Sequence, residues 1–400
     1  MRRILTAALV AAGVGAAVVG AGSAASAAEP LKVGMLLTLS GPAAVLGKHI
    51  NDGFQLYVEQ QGGKLGGRDV EIVVADDELK PDVAITKVKG LLERDKVDFV
   101  AGVVFSNILQ AVFRPVTESQ TFLVGANAGT STFAGKGCSP YFFSTSWQND
   151  QIHEVMGKYA QDKGFKSVFL LTPNYQAGKD SVAGFKSQYK GQVVDEVYTK
   201  LNNLDFSAEL AKIAAAKPEA VFTFMPGGMG VNLVKQFKQA GLDKSVTFLS
   251  AFTVDETTLP ATKDDAVGML ASAQWAPDLD NPANKAFVAA YEKKYGYVPS
   301  LYSSQGYDAA QLIDSAVKAV KGDLADKKAV IKALEKADFA SVRGDFKYNT
   351  NHFPIQDYYL VKAVKRDDGK YATSVVEKVF DDYGDIYAAD AELFGYRFEA

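Results

Sequence analysis

Cysteine is nearly absent from this chain: Cys138 is the one thiol in 400 residues. A single thiol closes no intrachain disulfide and builds no cysteine-based zinc site, so redox staples and zinc ribbons are both excluded. Histidine is scarce too. His49, His153 and His352 stand singly with no second histidine at metal-ligand spacing, and each is read as a surface or helix-cap residue. No block of Lys and Arg exceeds three residues, and 43 basic against 47 acidic residues leave a formal charge of −4, a balance that excludes nucleic acid as a partner. Leu/Ile/Phe-rich spans of about 20 residues do not recur, so a multi-pass membrane protein is excluded. No Gly/Ser or Pro-rich linker divides the sequence either. What is present is ordinary globular composition, 48% hydrophobic and 22% charged, at a length that accommodates two or three domains.

Enzyme motifs fail on inspection. From Gly129 to Gly137 the glycine spacing departs from a phosphate loop, and Gly137 stands where a hydroxyl should follow Lys136. Gly129-Thr130-Ser131-Thr132-Phe133 lacks the second glycine of a nucleophile elbow. Cys138, between Gly137 and Ser139, is read as an inert loop thiol with only Lys136 nearby to lower its pKa. Asp76-Asp77-Glu78 offers three carboxylates to a cation, but it follows a strand and precedes Lys80-Pro81-Asp82, and is read as a solvated helix start. Neither catalysis nor a metal or cofactor is expected.

The first 28 residues differ from the rest. Arg2 and Arg3 precede an uncharged Ala/Gly/Val run that ends in Ala25-Ser26-Ala27-Ala28 before Glu29, the pattern of a secretory signal peptide cleaved near Ala27 or Ala28. A retained membrane anchor is the alternative, disfavoured because Ala and Gly contribute little to insertion. The expected product is a soluble, exported protein that relies on its core rather than on disulfides.

From Leu31 onward, strand and helix patterns alternate. Short, consecutively apolar, β-branched runs at about 31–37, 70–75, 99–103 and 122–125 suit strands buried on both faces. Between them, Ile50, Phe54, Tyr57 and Val58, and then Ala84, Val88, Leu91 and Leu92, repeat at helical spacing. A second series follows with strands at about 168–171, 193–198, 220–224 and 246–249, separated by helices such as 206–216 and 231–240. Further on come a strand at 268–273, helices at 283–295, 303–320 and 327–336, and a strand at 358–364, whereas the acidic, Tyr-rich stretch from Asp381 has no clear assignment. The expected fold is α/β, with two doubly wound parallel-sheet lobes.

Open parallel sheets bind ligands beyond the C-terminal ends of their strands. In the first lobe these ends carry Ser40-Gly41-Pro42-Ala43, Phe105-Ser106-Asn107 and the run Ala126-Asn127-Ala128-Gly129-Thr130-Ser131-Thr132. Such a rim of hydroxyls and free amides suits a carboxylate, each charge-assisted bond contributing roughly 1.5–3 kcal/mol. The same ends of the second lobe carry Pro173-Asn174-Tyr175, Met225-Pro226-Gly227-Gly228 and Ala251-Phe252-Thr253, a wall for flat or apolar groups. Trp147, between the two series, reads equally as hinge packing or as ligand contact.

Taken together, several short pieces resemble the exported substrate-binding proteins of ABC transporters, in the branched-chain amino-acid-binding group of type I periplasmic binding proteins. They are Leu31-Lys32-Val33-Gly34 with Leu39-Ser40-Gly41-Pro42, Gly62-Gly63 to Gly66-Gly67-Arg68, Asp76-Asp77, Asn203-Leu204-Asp205-Phe206-Ser207, Pro282-Ala283-Asn284-Lys285 with Phe287, and Tyr302 to Tyr307-Asp308-Ala309. The resemblance implies lobes joined by three crossovers, 29–145 with 277–350 and 146–276 with 351–400, and a cleft whose closure a membrane permease recognises. It implies a monomer that holds a small-molecule carboxylate.

By resemblance, that carboxylate falls to Ser106 and to the loop Asn127, Ala128, Gly129, Thr130 and Ser131, with Tyr175 closing over it. Met225, Pro226, Gly227, Leu46, Trp147 and Tyr302 complete the candidate set. Two positions depart from the amino-acid binders: Phe252 stands near the place of their acidic residue, and Met225-Pro226-Gly227-Gly228 replaces a tyrosine-rich loop. The family's disulfide partners are also missing, near Glu78 and Phe105. A buried ammonium without a counter-charge costs several kcal/mol, so an aromatic acid is expected rather than an amino acid. An amino-acid binder that swings Asp255 or Glu256 into the cleft remains the alternative, and a ligand-sensing receptor domain is the alternative of another class.

Overall fold

The computed structural model describes residues 29–393, so the leader pattern of the first 28 residues lies outside the described residues. The first sheet contains β1 (Leu31–Leu37), β2 (Lys64–Leu65), β3 (Arg68–Asp76), β4 (Phe99–Gly102), β5 (Phe122–Gly125) and β6 (Phe142–Ser144). Its order is β2-β3-β1-β4-β5-β6, parallel throughout except for the short β2–β3 hairpin. The helices α1 (Ala44–Gln60), α2 (Pro81–Glu93) and α3 (Ser106–Glu118) follow β1, β3 and β4. The winding reverses between β1 and β4, which makes their C-terminal ends the ligand end of this lobe.

The second lobe starts with α4 (Asn149–Asp162) and alternates β7 (Ser167–Pro173), α5 (Gln176–Gln188), β8 (Gln192–Thr199), α6 (Ser207–Ala216), β9 (Ala220–Phe224), α7 (Gly228–Gln239), β10 (Thr247–Ala251), α8 (Leu259–Thr262) and β11 (Leu270–Ala273). The chain then returns to the first lobe for α9 (Pro282–Tyr295), α10 (Leu301–Ala319) and α11 (Lys327–Lys336). It ends with β12 (Lys347–Tyr348), β13 (Pro354–Lys365), β14 (Tyr371–Tyr383) and α12 (Ala388–Leu393). The core of the second sheet, β8-β7-β9-β10-β11, is parallel. β13 and β14 extend it antiparallel, a hairpin the sequence does not announce because β14 is mostly exposed or half-buried, mixes in charged residues and pairs with an irregular register.

Burial explains the backbone pattern. β4 and β5 are buried at every residue, as central strands covered by helices on both faces must be. α1 turns Leu46, Ile50, Phe54 and Val58 inward at four-residue spacing and packs on α10. The approach is close: a Cβ at Gly53 would lie 2.0 Å from the Ser303 carbonyl oxygen, so only glycine fits there.

Two of the crossings, at Ser146 and Gln356, are pinned to the first lobe by a buried ion pair. Arg343 donates to Asp308 at 3.0 Å, to the Ser146 carbonyl at 3.0 Å and to Gln356 at 2.7 Å, and Gln356 itself donates to Ser146 O at 2.7 Å. Removing one member of such a pair strands a buried charge, at a cost of about 3–5 kcal/mol.

Two sequence expectations are corrected by this packing. All three histidines are buried: His49 bonds Ser300 at 2.9 Å, His352 bonds the Phe142 carbonyl at 2.9 Å, and His153 sits among phenylalanines. Asp77 is fully buried rather than solvated, because it accepts from the Thr38 hydroxyl and the Leu79 amide at 2.7 Å each and ties the ends of β1 and β3 together.

The acidic, Tyr-rich stretch finishes β14 and then folds back onto α4. Tyr387 donates to Asp150 at 2.6 Å and Tyr383 donates to Glu154. Asn351 donates to the Ala134 carbonyl at 2.7 Å and to Asp385 at 3.0 Å, which links the tail to the loop that follows β5.

Candidate functional site

Between the lobes lies a small cavity. The first lobe supplies Leu46, Val104, Phe105, Ser106, Asn127, Ala128 and Tyr302, while Trp147 lies on the crossing. The second lobe supplies Asn149, His153, Tyr175, Ala177, Phe224, Pro226 and Phe252. The lobes are closed on each other. The Gly228 amide donates to the Pro42 carbonyl at 3.0 Å, and the Ser131 hydroxyl donates to Asp180 at 2.7 Å.

The polar end is built on α3. Ser106 is its first residue, and the leading amides of a helix have no partner within it, so hydroxyl and N–H groups face one place. Asn149 donates Nδ2 to Ser106 Oγ at 3.2 Å, which leaves the serine proton free to be given elsewhere. α1, α3, α4, α5 and α7 all begin at or within two residues of cavity-lining positions, so the positive ends of their dipoles converge there. Among the described residues lining the cavity, no Asp, Glu, Lys or Arg appears. Such a field favours an anion and offers nothing to a cation.

The rest of the lining is aromatic, and Trp147 donates its indole N–H to Asn149 Oδ1 at 3.3 Å. Trp147 and Phe252 have ring centroids 4.6 Å apart, and Tyr175 lies 6.0 Å from Phe105 and 6.1 Å from Phe224. Trp147 packs at the crossing and also lines the cavity. The backbone is strained at both walls: Val103, just before Val104, has φ of 62° and Phe252 has φ of 54°, values rare for a β-branched or bulky residue. Strain of this kind persists only where the surroundings over-determine it, and here it aims two strand ends at one cavity.

Of the candidate residues, Leu46, Ser106, Asn127, Ala128, Trp147, Tyr175, Pro226, Phe252 and Tyr302 line the cavity, and Gly129, Thr130, Ser131, Met225 and Gly227 do not. The small-residue loop is engaged in the framework. The Gly129 amide donates to Asn149, Thr130 caps the short turn at 131–133, and Ser131 holds Asp180. Asn127 donates Nδ2 to the Val104 carbonyl at 2.5 Å, which makes the hydroxyl rim thinner than the sequence implies. The Met225 amide is taken by Thr253, and Gly227 begins α7 at φ of 62°.

Asp255 and Glu256 do not line the cavity. Asp255 accepts from the Thr257 amide and hydroxyl, and Glu256 from those of Thr373. Burial raises both carboxyl pKa values, that of Glu256 to about 7.

Sequence reasoning missed Asn149 and His153, which share one face of α4 at four-residue spacing. The signal was legible only after α4 had been placed, because Ser146-Trp147-Gln148 reads as a loop until Gln148 is seen to cap the helix.

A periplasmic binding protein family model matches residues 30–370. Over 368 residues the chain is 30% identical to Leu/Ile/Val-binding protein homolog 6 of Brucella melitensis, covering 90% of this chain and 93% of that one. Its structure is similar to that of an ABC transporter solute-binding protein of R. palustris in complex with benzoate, with TM-score 0.85, 34% identity, and 90% of this chain and 98% of that one covered. A second solute-binding protein of R. palustris, in complex with 4-hydroxybenzoate, is similar with TM-score 0.83 at 30% identity, covering 89% and 98%.

Proposed function

Because the chain belongs to the periplasmic binding protein family and is an ABC-transporter substrate-binding protein rather than an enzyme, we propose that its cleft carries an aromatic monocarboxylate to the permease. The observation that carries this reading is the lining: helix N-termini and the Ser106 hydroxyl, a surround of aromatic rings, and no acidic side chain to receive an ammonium. In this reading the carboxylate takes the Ser106 hydroxyl and the first amides of α3, and the aryl body lies among Tyr175, Phe224, Phe252 and Trp147. The benzoate complexes of the two R. palustris proteins support it.

A branched-chain amino acid is the second reading, favoured by the name of the Brucella relative. It requires a carboxylate in the cleft, and Asp255 and Glu256 are both held outside it by threonines. We further propose that the first 28 residues direct export with cleavage near Ala27 or Ala28, and that 29–145 with 277–350 and 146–276 with 351–400 move as two lobes of a monomer. Calorimetric titration of the purified protein with benzoate, hydroxybenzoates and leucine tests the ligand assignment. Micromolar or tighter binding of an aryl acid with no leucine response supports it, and tight leucine binding without any response to aryl acids overturns it.

A further inference from the structure

His153 is a polar side chain that the carboxylate reading leaves unused. It is 1% exposed, lines the interlobe cavity, and its ring lies 5.1 Å from that of Phe224 and 5.9 Å from that of Phe252. Its Nδ1 is buried without a hydrogen-bond partner. Burial among these rings holds the imidazole pKa down at about 3, so the ring is neutral at physiological pH and carries one N–H and one lone pair. A neutral imidazole gives no charge to a second carboxylate. Its unpaired Nδ1 either donates or accepts one hydrogen bond according to the tautomer, and a hydroxyl, which can do either, is the simplest group that pairs with it.

Its position says where that hydroxyl sits. Asn149 contacts Ser106 at the anion end, and His153 is four residues further along the same face of α4. One helical turn, roughly 5.4 Å, therefore separates the two polar groups, comparable to the span of a benzene ring. We infer that His153 is a specificity-determining residue that hydrogen-bonds a ring hydroxyl on the side of the ligand away from its carboxylate, so that the cleft prefers hydroxylated benzoates to benzoate itself. This rests on the aromatic-acid reading above and adds the ring substituent to it.

A site built to bond a hydroxyl rejects the analogue that lacks one, because its own polar group is then left unpaired. Calorimetric titration of the full-length mature protein with benzoate, 3-hydroxybenzoate and 4-hydroxybenzoate reads the preference directly. The expected result is at least about tenfold tighter binding of one hydroxybenzoate than of benzoate, unchanged between pH 6 and pH 8 because the ring stays neutral. In His153→Phe the hydroxybenzoate loses affinity and the ratio falls towards one, and in His153→Gln, which keeps a donor and an acceptor, part of the ratio returns. Equal wild-type affinities for all three acids overturn this inference and leave the aromatic-acid reading standing. So does a wild-type ratio that survives His153→Phe. Absence of binding by every aryl acid overturns both.

Discussion

Ser131 gives its hydroxyl proton to Asp180 at 2.7 Å across the mouth of the cleft, and its own amide approaches the second carboxylate oxygen at 3.2 Å. Asp180 stands on α5 of the second lobe, whereas Ser131 belongs to the first, so the pair exists only when the lobes are closed. Asn149 donates to the same carboxylate at 2.8 Å and to Ser106 at 3.2 Å. Closure and the Ser106 part of the cavity therefore share one hydrogen-bond network.

Asp180→Ala removes the acceptor that Ser131 and Asn149 share. The closed state, biased by charge-assisted bonds of about 1.5–3 kcal/mol each, then loses population. The ligand-free variant is expected to be more open, with a larger radius of gyration in small-angle scattering, and to bind its ligand roughly tenfold or more weakly. Unchanged scattering together with unchanged affinity would show that the pair does not govern closure.

Ser106→Ala leaves the backbone amides of α3 in place and deletes one hydroxyl donor. The expected loss in aryl-acid affinity is about ten- to hundredfold, equivalent to ~1.5–3 kcal/mol for a hydrogen bond to a charged group. Titration calorimetry measures it. If the affinity stays within twofold of wild type, the carboxylate does not sit at the start of α3.

The alternation of apolar runs and helical spacings made both wound sheets readable from residues alone, because strands covered on two faces are written in Val, Ile, Leu and Phe. The β13–β14 hairpin escaped that reading since β14 is mostly exposed or half-buried and its residues mix with charge. Ser106, Tyr175 and Phe252 were legible because strand ends can be located by counting and the ligand end of such sheets is fixed by topology. Ser131 was legible as a hydroxyl in the right loop but not in its role, since its partner Asp180 lies 49 residues away on another lobe. His153 was missed for the opposite reason: a lone histidine carries no spacing signal, and only its burial against Phe222, Phe224 and Phe252 reveals it.

Asp150 links the cleft-facing helix to the C-terminal stretch, with Tyr387 donating to it at 2.6 Å. Burial pushes its carboxyl pKa up to about 7, with Asp180 and Glu154 adding to the rise. A folded pKa above the unfolded value means that the folded state holds the proton more tightly. The stabilisation from Asp150 is thus complete below about pH 4 and is lost as pH rises through about 7, to a total of roughly 4 kcal/mol. Glu256 titrates in the same direction, and the buried neutral His49 and His153 act oppositely between about pH 3 and pH 6.5. A single-variant comparison isolates the aspartate. Asp150→Asn keeps an acceptor for Tyr387 but cannot ionise, so its melting temperature relative to wild type is expected to rise from pH 5 to pH 8. A difference that stays flat over that range removes the titration from Asp150.

Gly228 closes the cleft from the second lobe, where its amide meets the Pro42 carbonyl at 3.0 Å. A Cβ built there would stand 2.9 Å from both Pro42 Cβ and Pro42 O, tighter than side chains tolerate against backbone and a rigid ring. Its φ is not in the left-handed region, so alanine costs α7 nothing in backbone strain and the second lobe folds as before. The collision arises only on closure, because Pro42 belongs to the first lobe. Gly228→Ala is therefore expected to keep a melting temperature near that of the ligand-free wild type while lowering ligand affinity by about tenfold or more, the size of effect that a closed state raised by over one kcal/mol produces. The ligand-induced rise in melting temperature shrinks correspondingly. If the variant closes and binds as wild type does, Pro42 yields to the added methyl and the Pro42–Gly228 contact does not govern closure.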